Sequence, residues 1–405
     1  MRRRLLIIGG GLEQERAYQL ARQRGLEVVG TDRDPQAPAL RLADHVLLVS
    51  TRDVEATVAA ARGFHAEHPL QGVMTVANDV PLTVATTAEA LGLPGIPVKA
   101  AEITQDKVAM KTALSSHGVP TPAFREVVNE QETLDFMELT GPIVIKPADS
   151  CGARGVVLVR ERQEIARAFS EADALSPTRR VMAEAYVPGT QISSESFLLD
   201  SAVHTPALSE RCYDQLERFY PRFIENGGTV PAPVSPEMAR EIDRVLLDAA
   251  GALGVNQGSI KGDLVLGPDG PVILELAPRL SGGYFCTHQI PAATGVDLVD
   301  IVIGWCLGEP IDTDRLRPSR SRSAVIRYLF PPEGTVHQIE GFEEASQMPG
   351  VLHSGLRLRL GEHLSRVENH PQRAGFVITE GADRTEAEER AQAALSKIHL
   401  VMKPE

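Results

Sequence analysis

The segment that decides the fold reads GSIKGDLVLGPDGPVILELAPRLSGG and spans residues 258–283. Two apolar runs within it, 260–266 and 272–277, predict neighbouring β-strands. Between them, Pro268-Asp-Gly270 fits a three-residue hairpin loop with Gly270 in the left-handed region. The segment therefore predicts an antiparallel hairpin.

This hairpin places two carboxylates face to face. The predicted loop pairs Gly267 with Pro271, and counting back along both strands sets Asp263 opposite Glu275. Like charges opposite each other destabilise a sheet, and a carboxylate within an apolar strand needs a partner. A divalent cation between the two solves both problems, and Mg²⁺ is commonly held by one or two carboxylates plus substrate phosphates. We therefore predict a metal site at Asp263 and Glu275; the alternative is a surface hairpin with both acids solvated.

The composition is that of an ordinary globular protein. The chain has 405 residues, 43% hydrophobic and 23% charged, with a net charge of −13. Such an acidic chain lacks the basic face that nucleic acids and anionic membranes require. Its four cysteines include no C-x-x-C pair, which favours free thiols in a reducing cytoplasm. We expect a cytoplasmic protein of two or three domains that binds neither nucleic acid nor a membrane.

Residues 1–95 alternate between apolar strands and helical patterns, which is typical of a doubly wound parallel α/β domain. After the first predicted strand, Gly9-Gly-Gly11 together with Asp32 partly matches a dinucleotide-binding fingerprint. Gln14, however, stands where that fingerprint requires its third glycine. The pattern therefore favours a tight turn over an NAD site.

Two further units are predicted after residue 95. The first is 96–310, with a helix capped by Thr104 and a small lobe at about 120–188. Within this unit, residues 205–235 are rich in Pro, Gly and aromatic residues and are interpreted as a mobile flap or lid. The character of the chain changes after Pro310, so we predict a small C-terminal domain at 311–405.

A lysine at a strand end opens a glycine-bearing loop. Lys146 is followed by Ser150, Gly152 and Gly155. Glycines let backbone N–H groups close on phosphate oxygens, and the lysine adds a point charge. The loop is therefore a candidate phosphate site, although a solvated lysine before a surface hairpin is as common. No Walker-type G-x-x-x-x-G-K-[ST] run occurs.

Taken in order, these motifs resemble the ATP-grasp superfamily over nearly the whole chain. The resemblance is greatest to carboxylate–amine ligases, including L-amino-acid ligases and ATP-grasp enzymes of purine biosynthesis. The residues that carry it are Asp106-Lys107, Ile145-Lys-Pro147 with its loop, Glu184-x-x-Val187, Asp263, and Glu275-x-x-x-Arg279 with Gly282-Gly283.

The resemblance implies an ATP-grasp fold in three parts and a set of site residues. Asp263 and Glu275 would bind Mg²⁺ or Mn²⁺, while Arg279 and Lys146 would act on the reacting groups. The expected contacts with ATP are Lys107, Lys146, Ser150, Gly152, Gly155, Glu184, Ala185, Val187, Gln191 and Glu195. Two departures from the family pattern are Ala277, where an Asn ligand is common, and Gln191, where a Glu is common.

The implied reaction joins a small-molecule carboxylate to an amine through an acyl-phosphate, with a homodimer as the family expectation. A bicarbonate-using or purine-pathway carboxylase is an alternative within the superfamily. The two departures also allow a catalytically silent nucleotide sensor. Phe285 and His288 follow the glycine pair and are expected near the acceptor pocket, where His288 could act as a base or be structural.

Overall fold

The computed structural model describes residues 2–403, so the first residue of the predicted N-terminal unit and the last two of the C-terminal unit lie outside the described part. The N-terminal unit is a parallel four-stranded sheet in the order β3-β2-β1-β4. Its elements are β1 Arg4–Ile8, α1 Glu15–Gln23, β2 Glu27–Asp32, β3 His45–Leu48, α2 Val54–Glu67, β4 Gly72–Met74 and α3 Pro81–Ala90. The expected α/β fold of this unit is confirmed.

The glycine turn after β1 is closed by the protein's own side chains. The N–H of Gly10 donates to Asp32 Oδ2 at 3.0 Å, and the N–H of Gly11 donates to Gln14 Oε1 at 2.8 Å. Gln14 in turn donates to the carbonyl of Val76 at 2.6 Å. Because these donors are already used, the turn agrees with a structural role and not with a pyrophosphate site.

The helix predicted to begin at Thr104 is in fact two helices, α4 Val98–Gln105 and α5 Lys107–Ser116. Asp106 lies between them in an extended conformation, and its side chain accepts hydrogen bonds from two N–H groups in the first turn of α5. The cap is therefore Asp106 and the prediction of Thr104 was wrong, because a carboxylate satisfies free N–H groups that Thr104, inside α4, cannot reach. Lys107 consequently begins a helix.

A small antiparallel sheet follows, in the order β5-β8-β6-β7. Its elements are β5 Phe124–Val127, α6 Glu130–Thr140, β6 Ile143–Pro147, β7 Val157–Val159, α7 Ile165–Leu175 and β8 Val181–Ala185. One apolar core joins both helices to the sheet. Lys146 and Glu184 lie on the adjacent central strands β6 and β8, which positions them for the site described below.

The centre of the molecule is an eight-stranded sheet in the order β13-β12-β9-β10-β11-β14-β18-β16. Its middle section supplies β9 Thr190–Leu199, β10 Ala202–Cys212, α8 Leu216–Phe219, β11 Gly227–Val230, α9 Pro236–Ala252, β12 Gly258–Gly267, β13 Gly270–Ala277, α10 Ile290–Thr294 and α11 Leu298–Cys306. Within the predicted flap at 205–235, residues 205–212 of β10 and 227–230 of β11 belong to this sheet, which corrects the interpretation of the whole segment as a lid.

The C-terminal part completes the large sheet and adds a second one. It contains β14 Ser323–Leu329, β15 Gly334–Glu340, α12 Phe342–Ser346, β16 Val351–Leu356, β17 His363–Leu364, β18 Gly375–Gly381, α13 Arg384–Lys397 and β19 His399–Lys403. Strands β17, β15 and β19 form a separate three-stranded sheet. No helix within residues 2–403 is long and apolar enough to span a bilayer.

The β12–β13 hairpin has the expected pairing of Asp263 with Glu275, but its loop differs from the prediction. Gly267 pairs with Gly270, so the loop has one residue fewer than predicted. A β-bulge next to Asp263 then shifts the register by one residue and restores the pairing of Asp263 with Glu275. The predicted loop length was wrong, but the predicted pairing of Asp263 with Glu275 is confirmed. The shorter loop and the bulge each shift the register by one residue, in opposite directions.

Candidate active site

One face of the eight-stranded sheet forms the floor of a cleft with a volume of about 550 Å³. The loop after β6, the N-terminal unit and the C-terminal part all contribute to its walls. The predicted site residues that line the cleft are Lys107, Lys146, Ser150, Gly152, Glu184, Ala185, Val187, Gln191, Asp263, Glu275 and Arg279. Residues dispersed over most of the central chain are thus brought to one place.

The carboxylate of Glu184 lies between two lysines. Its oxygens are 2.8 Å from Lys111 Nζ and 3.1 Å from Lys146 Nζ, and the Glu184 side chain is 3% exposed. Burial alone would raise its pKa, but the two ammonium groups hold the pKa of Glu184 below its usual range. Glu184 therefore positions lysine side chains, and because it also lines the cleft, its contact with ATP stays a prediction.

Lys111 was missed by the sequence interpretation. It is fully buried and also donates to Thr121 Oγ1 at 2.8 Å and to the carbonyl of Ile273 at 3.0 Å. Burial lowers the pKa of Lys111 to about 8, and the Glu184 carboxylate opposes that shift. The available signal was its spacing of four residues from Lys107, which places both lysines on one side of α5.

The glycine loop lies against the start of α5. Lys107 Nζ donates to the carbonyl of Ser150 at 2.6 Å, and the backbone carbonyl of Gly152 accepts from the N–H of His370 at 3.3 Å. Gly155 has a φ of +69°, and a Cβ there would come within 3.0 Å of Pro147. Gly155 is not among the residues that line the cleft, so what the structure shows for it is the shape of the loop, and its contact with ATP stays a prediction.

The end of β8 and the residues after it form another part of the wall. The backbone N–H groups of Ala185 and Tyr186 are used inside the protein, donating to Ala123 at 2.8 Å and to Pro142 at 2.9 Å. Val187 follows them and also lines the cleft. This strand end therefore contributes the side chains of Ala185 and Val187 to the wall, and Val187 lies beyond the last residue of β8.

The two predicted metal ligands differ in their surroundings. Asp263 is buried, accepts from Ser193 Oγ at 2.8 Å, lies 3.3 Å from Arg211 and pairs closely with Lys261. Burial would raise its pKa, but the flanking cations hold the pKa of Asp263 well below its usual range. Glu275 is 40% exposed, with Lys107 Nζ at 3.7 Å from its nearer oxygen.

This donor set fits a cation shared with phosphates. Asp263 and Glu275 both line the cleft, and the lowered pKa keeps Asp263 ionised near neutral pH. Within residues 2–403, no group of three or more His, Cys, Asp and Glu residues is placed to hold a metal by itself. A divalent ion here would therefore take its remaining ligands from phosphate oxygens or water, as Mg²⁺ does.

Arg279 is anchored by the N-terminal unit. Its Nε donates to Asp79 Oδ1 at 2.9 Å, Nη2 contacts the same carboxylate, and Nη1 donates to the carbonyl of Leu280 at 3.0 Å. A parallel bridge between Val76 and Leu280 holds the two segments together. Although burial would raise the pKa of Asp79, Arg279 lowers it to about 2. Asp79 was missed, although it follows β4 at the carboxyl edge of a parallel sheet, where ligands bind.

Glu195 lies away from the cleft surface. Its side chain is fully buried and accepts from the backbone N–H of Ser281 at 3.0 Å and from the Ser281 hydroxyl. Burial raises the pKa of Glu195 to about 7. The predicted contact of Glu195 with the nucleotide is therefore corrected, because the hairpin pairing points this carboxyl towards the Ser281 turn.

The residues after the glycine pair separate into two groups. Phe285 lines the cleft, but His288 does not; its ring stacks on His353 with 4.7 Å between centroids. Burial lowers the pKa of His288 to about 4, so the neutral imidazole dominates. The structural reading of His288 is supported over that of a base. Three arginines that line the cleft were also missed: Arg211, Arg357 and Arg373.

Three family models match consecutive parts of the chain. They are described as ATP-grasp N-terminal domain for residues 18–95, ATP-grasp domain for 104–283 and L-amino acid ligase C-terminal domain 2 for 327–403. A D-alanine–D-alanine ligase from Gloeobacter violaceus is 33% identical over 230 residues, which are 52% of this chain and 72% of that ligase. The chain belongs to the ATP-grasp ligases.

Two further similarities extend over the whole ATP-grasp chain. An uncharacterized protein from Sinorhizobium fredii is 26% identical over 413 residues, covering 100% of this chain and 84% of that protein. The crystal structure of an L-amino acid ligase from Bacillus licheniformis shares the fold with a TM-score of 0.83 and 24% identity, covering 100% and 99% of the two chains. The ATP-grasp resemblance and fold class inferred from the sequence are confirmed.

Membership in the ATP-grasp ligases also defines the kind of chemistry. The family comprises carboxylate–amine ligases that use ATP to form C–N bonds. The cleft of this ATP-grasp enzyme has the charges such a reaction needs, with Lys107, Lys146 and Arg279 near Asp263 and Glu275. The individual substrates and the role of each residue are matters of proposal.

Proposed function

We propose that this ATP-grasp ligase joins a small carboxylate, an amino acid or a similar acid, to an amine through an acyl-phosphate. ADP and phosphate are the other products. The observation that carries the proposal is the convergence of Lys107, Lys146 and Arg279 with the paired carboxylates Asp263 and Glu275 in one cleft. Transfer of a phosphoryl group requires cations on the transferring oxygens and a metal that neutralises developing charge.

In this proposal the nucleotide lies between the two sheets. The backbone beyond Ala185, at Val187, meets the adenine edge, and Gln191 hydrogen-bonds a ribose hydroxyl. Lys107 and Lys146 contact phosphate oxygens, with Ser150 and Gly152 in the loop above them. Lys146 is held in place by Glu184, so its ammonium group is oriented before the nucleotide binds.

Asp263 and Glu275 would hold Mg²⁺ or Mn²⁺, which supplies charge neutralisation at the phosphates. The ammonium of Lys261, which contacts Asp263 in the structure, would remain beside the phosphates as a further cation. Arg279, fixed by Asp79, orients the substrate carboxylate. One carboxylate oxygen attacks the γ-phosphorus and the bond to ADP breaks. The amine then attacks the acyl carbon, the acyl C–O bond breaks and phosphate leaves with that oxygen.

An acyl-phosphate must be kept from water. The glycine loop contacts the C-terminal part through the hydrogen bond from His370 N–H to the Gly152 carbonyl, and both residues line the cleft. Exclusion of water favours attack by the amine over hydrolysis. This contact is the feature we propose for that task, in place of the flap predicted at 205–235.

The experiment that tests the proposal is Mg²⁺-dependent ADP release with pooled amino acids, with and without hydroxylamine. Hydroxylamine traps an acyl-phosphate as a hydroxamate, so ADP with hydroxamate is the expected result. ADP release that depends on bicarbonate and gives no hydroxamate would contradict the ligase proposal in favour of a carboxylase. Binding of ATP without ADP release for any substrate would favour the sensor instead.

We also propose a homodimer and a cytoplasmic location, both as in the sequence interpretation. Sedimentation equilibrium of the full chain tests the first, with twice the mass of one chain as the expected value. Fractionation of cells that produce the protein tests the second.

A further inference from the structure

Arg373 is a buried cation of the cleft that the proposed reaction leaves without a role. The residue lines the cleft although it is only 7% exposed. A buried charge is costly unless an opposite charge compensates for it. The other buried cations within residues 2–403 each have a carboxylate oxygen at 3.7 Å or less, and they are Lys107, Lys111, Lys146 and Arg222. Arg373 forms no ion pair with any residue in this range.

The protein uses only part of the hydrogen-bonding capacity of Arg373. Nε donates to the carbonyl of His370 at 3.0 Å, and Nη1 donates to the carbonyl of Glu225 at 3.4 Å. Nη2 has no hydrogen-bond partner within residues 2–403, and it is not fully enclosed by protein atoms. Since a guanidinium can only donate, the natural partner of Nη2 is an anionic acceptor in the cleft.

The guanidinium is held in position by an aromatic ring. Its Cζ lies 3.5 Å from the centre of the Tyr328 ring, whose face attracts a cation. Tyr328 also lines the cleft, and its hydroxyl would lie 3.3 Å from a Cβ on Gly283, so it reaches the glycine pair that follows Arg279. The ring and the two carbonyls restrict the Arg373 side chain, which therefore loses little conformational freedom when an anion binds.

Arg373 borders the phosphate side of the cleft. His370, whose carbonyl accepts from Arg373, donates its own N–H to the carbonyl of Gly152 at 3.3 Å. A Cβ on Gly152 would lie 3.4 Å from the ring of Pro371, so the two loops are in contact. The proposed function places the nucleotide phosphates beneath the loop that contains Gly152.

Arg373 borders the proposed metal site as well. Glu225, whose carbonyl it contacts, pairs through its side chain with Arg211 at 2.8 Å. Arg211 in turn lies 3.3 Å from Asp263 Oδ2. Arg373 is therefore next to the phosphate loop, to the partners of a metal carboxylate and, through Tyr328, to the turn after Arg279.

We infer that Arg373 binds the non-bridging oxygens of the γ-phosphoryl group while that group passes from ADP to the substrate carboxylate, and in the acyl-phosphate that results. The inference rests on the proposed function, in which the phosphoryl group is the anion that lies between these three regions. Charge in the transition state is spread over the phosphoryl oxygens, and a guanidinium binds such oxygens with paired, charge-assisted N–H bonds. Arg373 is thus a catalytic cation that the C-terminal part adds to Lys107 and Lys146.

The first test measures nucleotide affinity without a donor acid and so does not depend on turnover. Arg373→Met removes the charge and keeps an unbranched side chain over Tyr328. With Mg²⁺ present, we expect the Kd for the β,γ-imido analogue of ATP to rise at least about tenfold, while the Kd for ADP stays within about twofold of wild type. Tm is unchanged or higher, because an unpaired buried charge is gone. Arg359→Met, at an exposed position of the C-terminal part outside the cleft, is the control and matches the wild type.

The second test measures hydroxamate formation, in which the acceptor hydroxylamine carries no anionic group. In Arg373→Met, kcat falls at least about 100-fold with every donor acid that the wild type uses. Arg373→Lys keeps the charge without the paired N–H groups, so its kcat lies between the two.

Equal weakening of both nucleotides in Arg373→Met, or no change in either, would overturn the inference and leave the proposed function standing. A loss of rate confined to acids or amines that carry a further carboxylate or phosphate would also overturn it, because Arg373 would then bind a substrate anion. Absence of hydroxamate from every acid with the wild-type enzyme would overturn the proposed function itself, whereas the affinity test does not depend on that result.

Discussion

Arg279, two residues after the β12–β13 hairpin, is bound to Asp79 of the N-terminal unit, with Nε donating to Oδ1 at 2.9 Å. The contact links two segments 200 positions apart in the chain. The contact orients the guanidinium towards the cleft. Only the N–H groups that do not already donate to Asp79 or to the Leu280 carbonyl are available to a ligand. In the proposed function, where Arg279 orients the substrate carboxylate, the N-terminal unit takes part in substrate positioning through Asp79.

Asp79→Asn is predicted to weaken positioning of the substrate carboxylate. The amide cannot hold Arg279 with a charge-assisted pair, so kcat/KM for the carboxylate falls by roughly 10- to 100-fold. The KM for ATP is unchanged, because the nucleotide contacts lie elsewhere in the cleft. Steady-state kinetics with the donor found by the hydroxamate assay measure both. Glu67→Gln, exposed on the same unit, is the control; a variant Asp79→Asn with wild-type kinetics would show that Arg279 needs no anchor.

Glu275→Gln is predicted to abolish ADP release while leaving the fold intact. The carboxylate is 40% exposed and has only a long contact with Lys107, so its loss costs little stability. The loss of a metal ligand lowers kcat by at least about 100-fold. Asp269→Asn in the loop of the same hairpin is the matched control and keeps full turnover. Addition of EDTA to the wild-type enzyme has the same effect, and Mg²⁺ or Mn²⁺ restores the rate; turnover in EDTA would exclude the metal assignment.

Lys111→Met is predicted to destabilise the folded protein strongly. It leaves the buried Glu184 with Lys146 alone, and removal of one member of a buried ion pair typically costs about 3 kcal/mol or more. Chemical denaturation measures the free energy of unfolding. Lys99→Met, at a side chain that is 78% exposed, should leave that free energy unchanged. Equal stability of the two variants would mean that Glu184 does not depend on Lys111.

Part of the site could be predicted because its signals are local. The acidic hairpin, the lysine before the glycine loop and Arg279 all stand in short runs whose residue types suit one chemistry. Lys111 and Asp79 could not be selected, because their importance depends on partners far away in sequence. The contacts of Glu184 with Lys111 and Lys146 could not be predicted, because the sequence of a strand does not show which distant side chains its carboxylate meets.

The alternation of strands and helices could be predicted from the sequence. Elements whose formation depends on pairing with distant strands were harder to predict. The segment 205–235 has the composition of a loop, yet β10 and β11 pair with strands β9 and β14 in the large sheet. Burial between neighbouring strands outweighs local propensity there. The bulge beside Asp263 occurs only in the pairing of β12 with β13, and the sequence of the hairpin carries no local signal for it.

Glu195→Gln is predicted to stabilise the protein at high pH. Burial raises the folded-state pKa of Glu195 from the ordinary 4.5 to about 7. Between these values the folded state binds more protons than the unfolded chain, so stability is fully present below 4.5 and falls as the pH rises through 7. The amide has no proton to lose, so at about pH 8 the variant should be more stable by roughly 3 kcal/mol. Thermal unfolding of both proteins at about pH 5 and at about pH 8 measures this; an equal difference in stability at both pH values would contradict the buried acid.

The central claim is that a carboxylate oxygen is transferred to phosphate, and isotopic labelling tests it most directly. The donor acid is labelled with ¹⁸O in its carboxylate and incubated with ATP, Mg²⁺ and the amine, and the released phosphate is analysed by mass spectrometry. An acyl-phosphate route places one ¹⁸O atom in phosphate for each amide formed. Amide formation with unlabelled phosphate would contradict the account, since no oxygen of the acid would then have bonded to the γ-phosphorus.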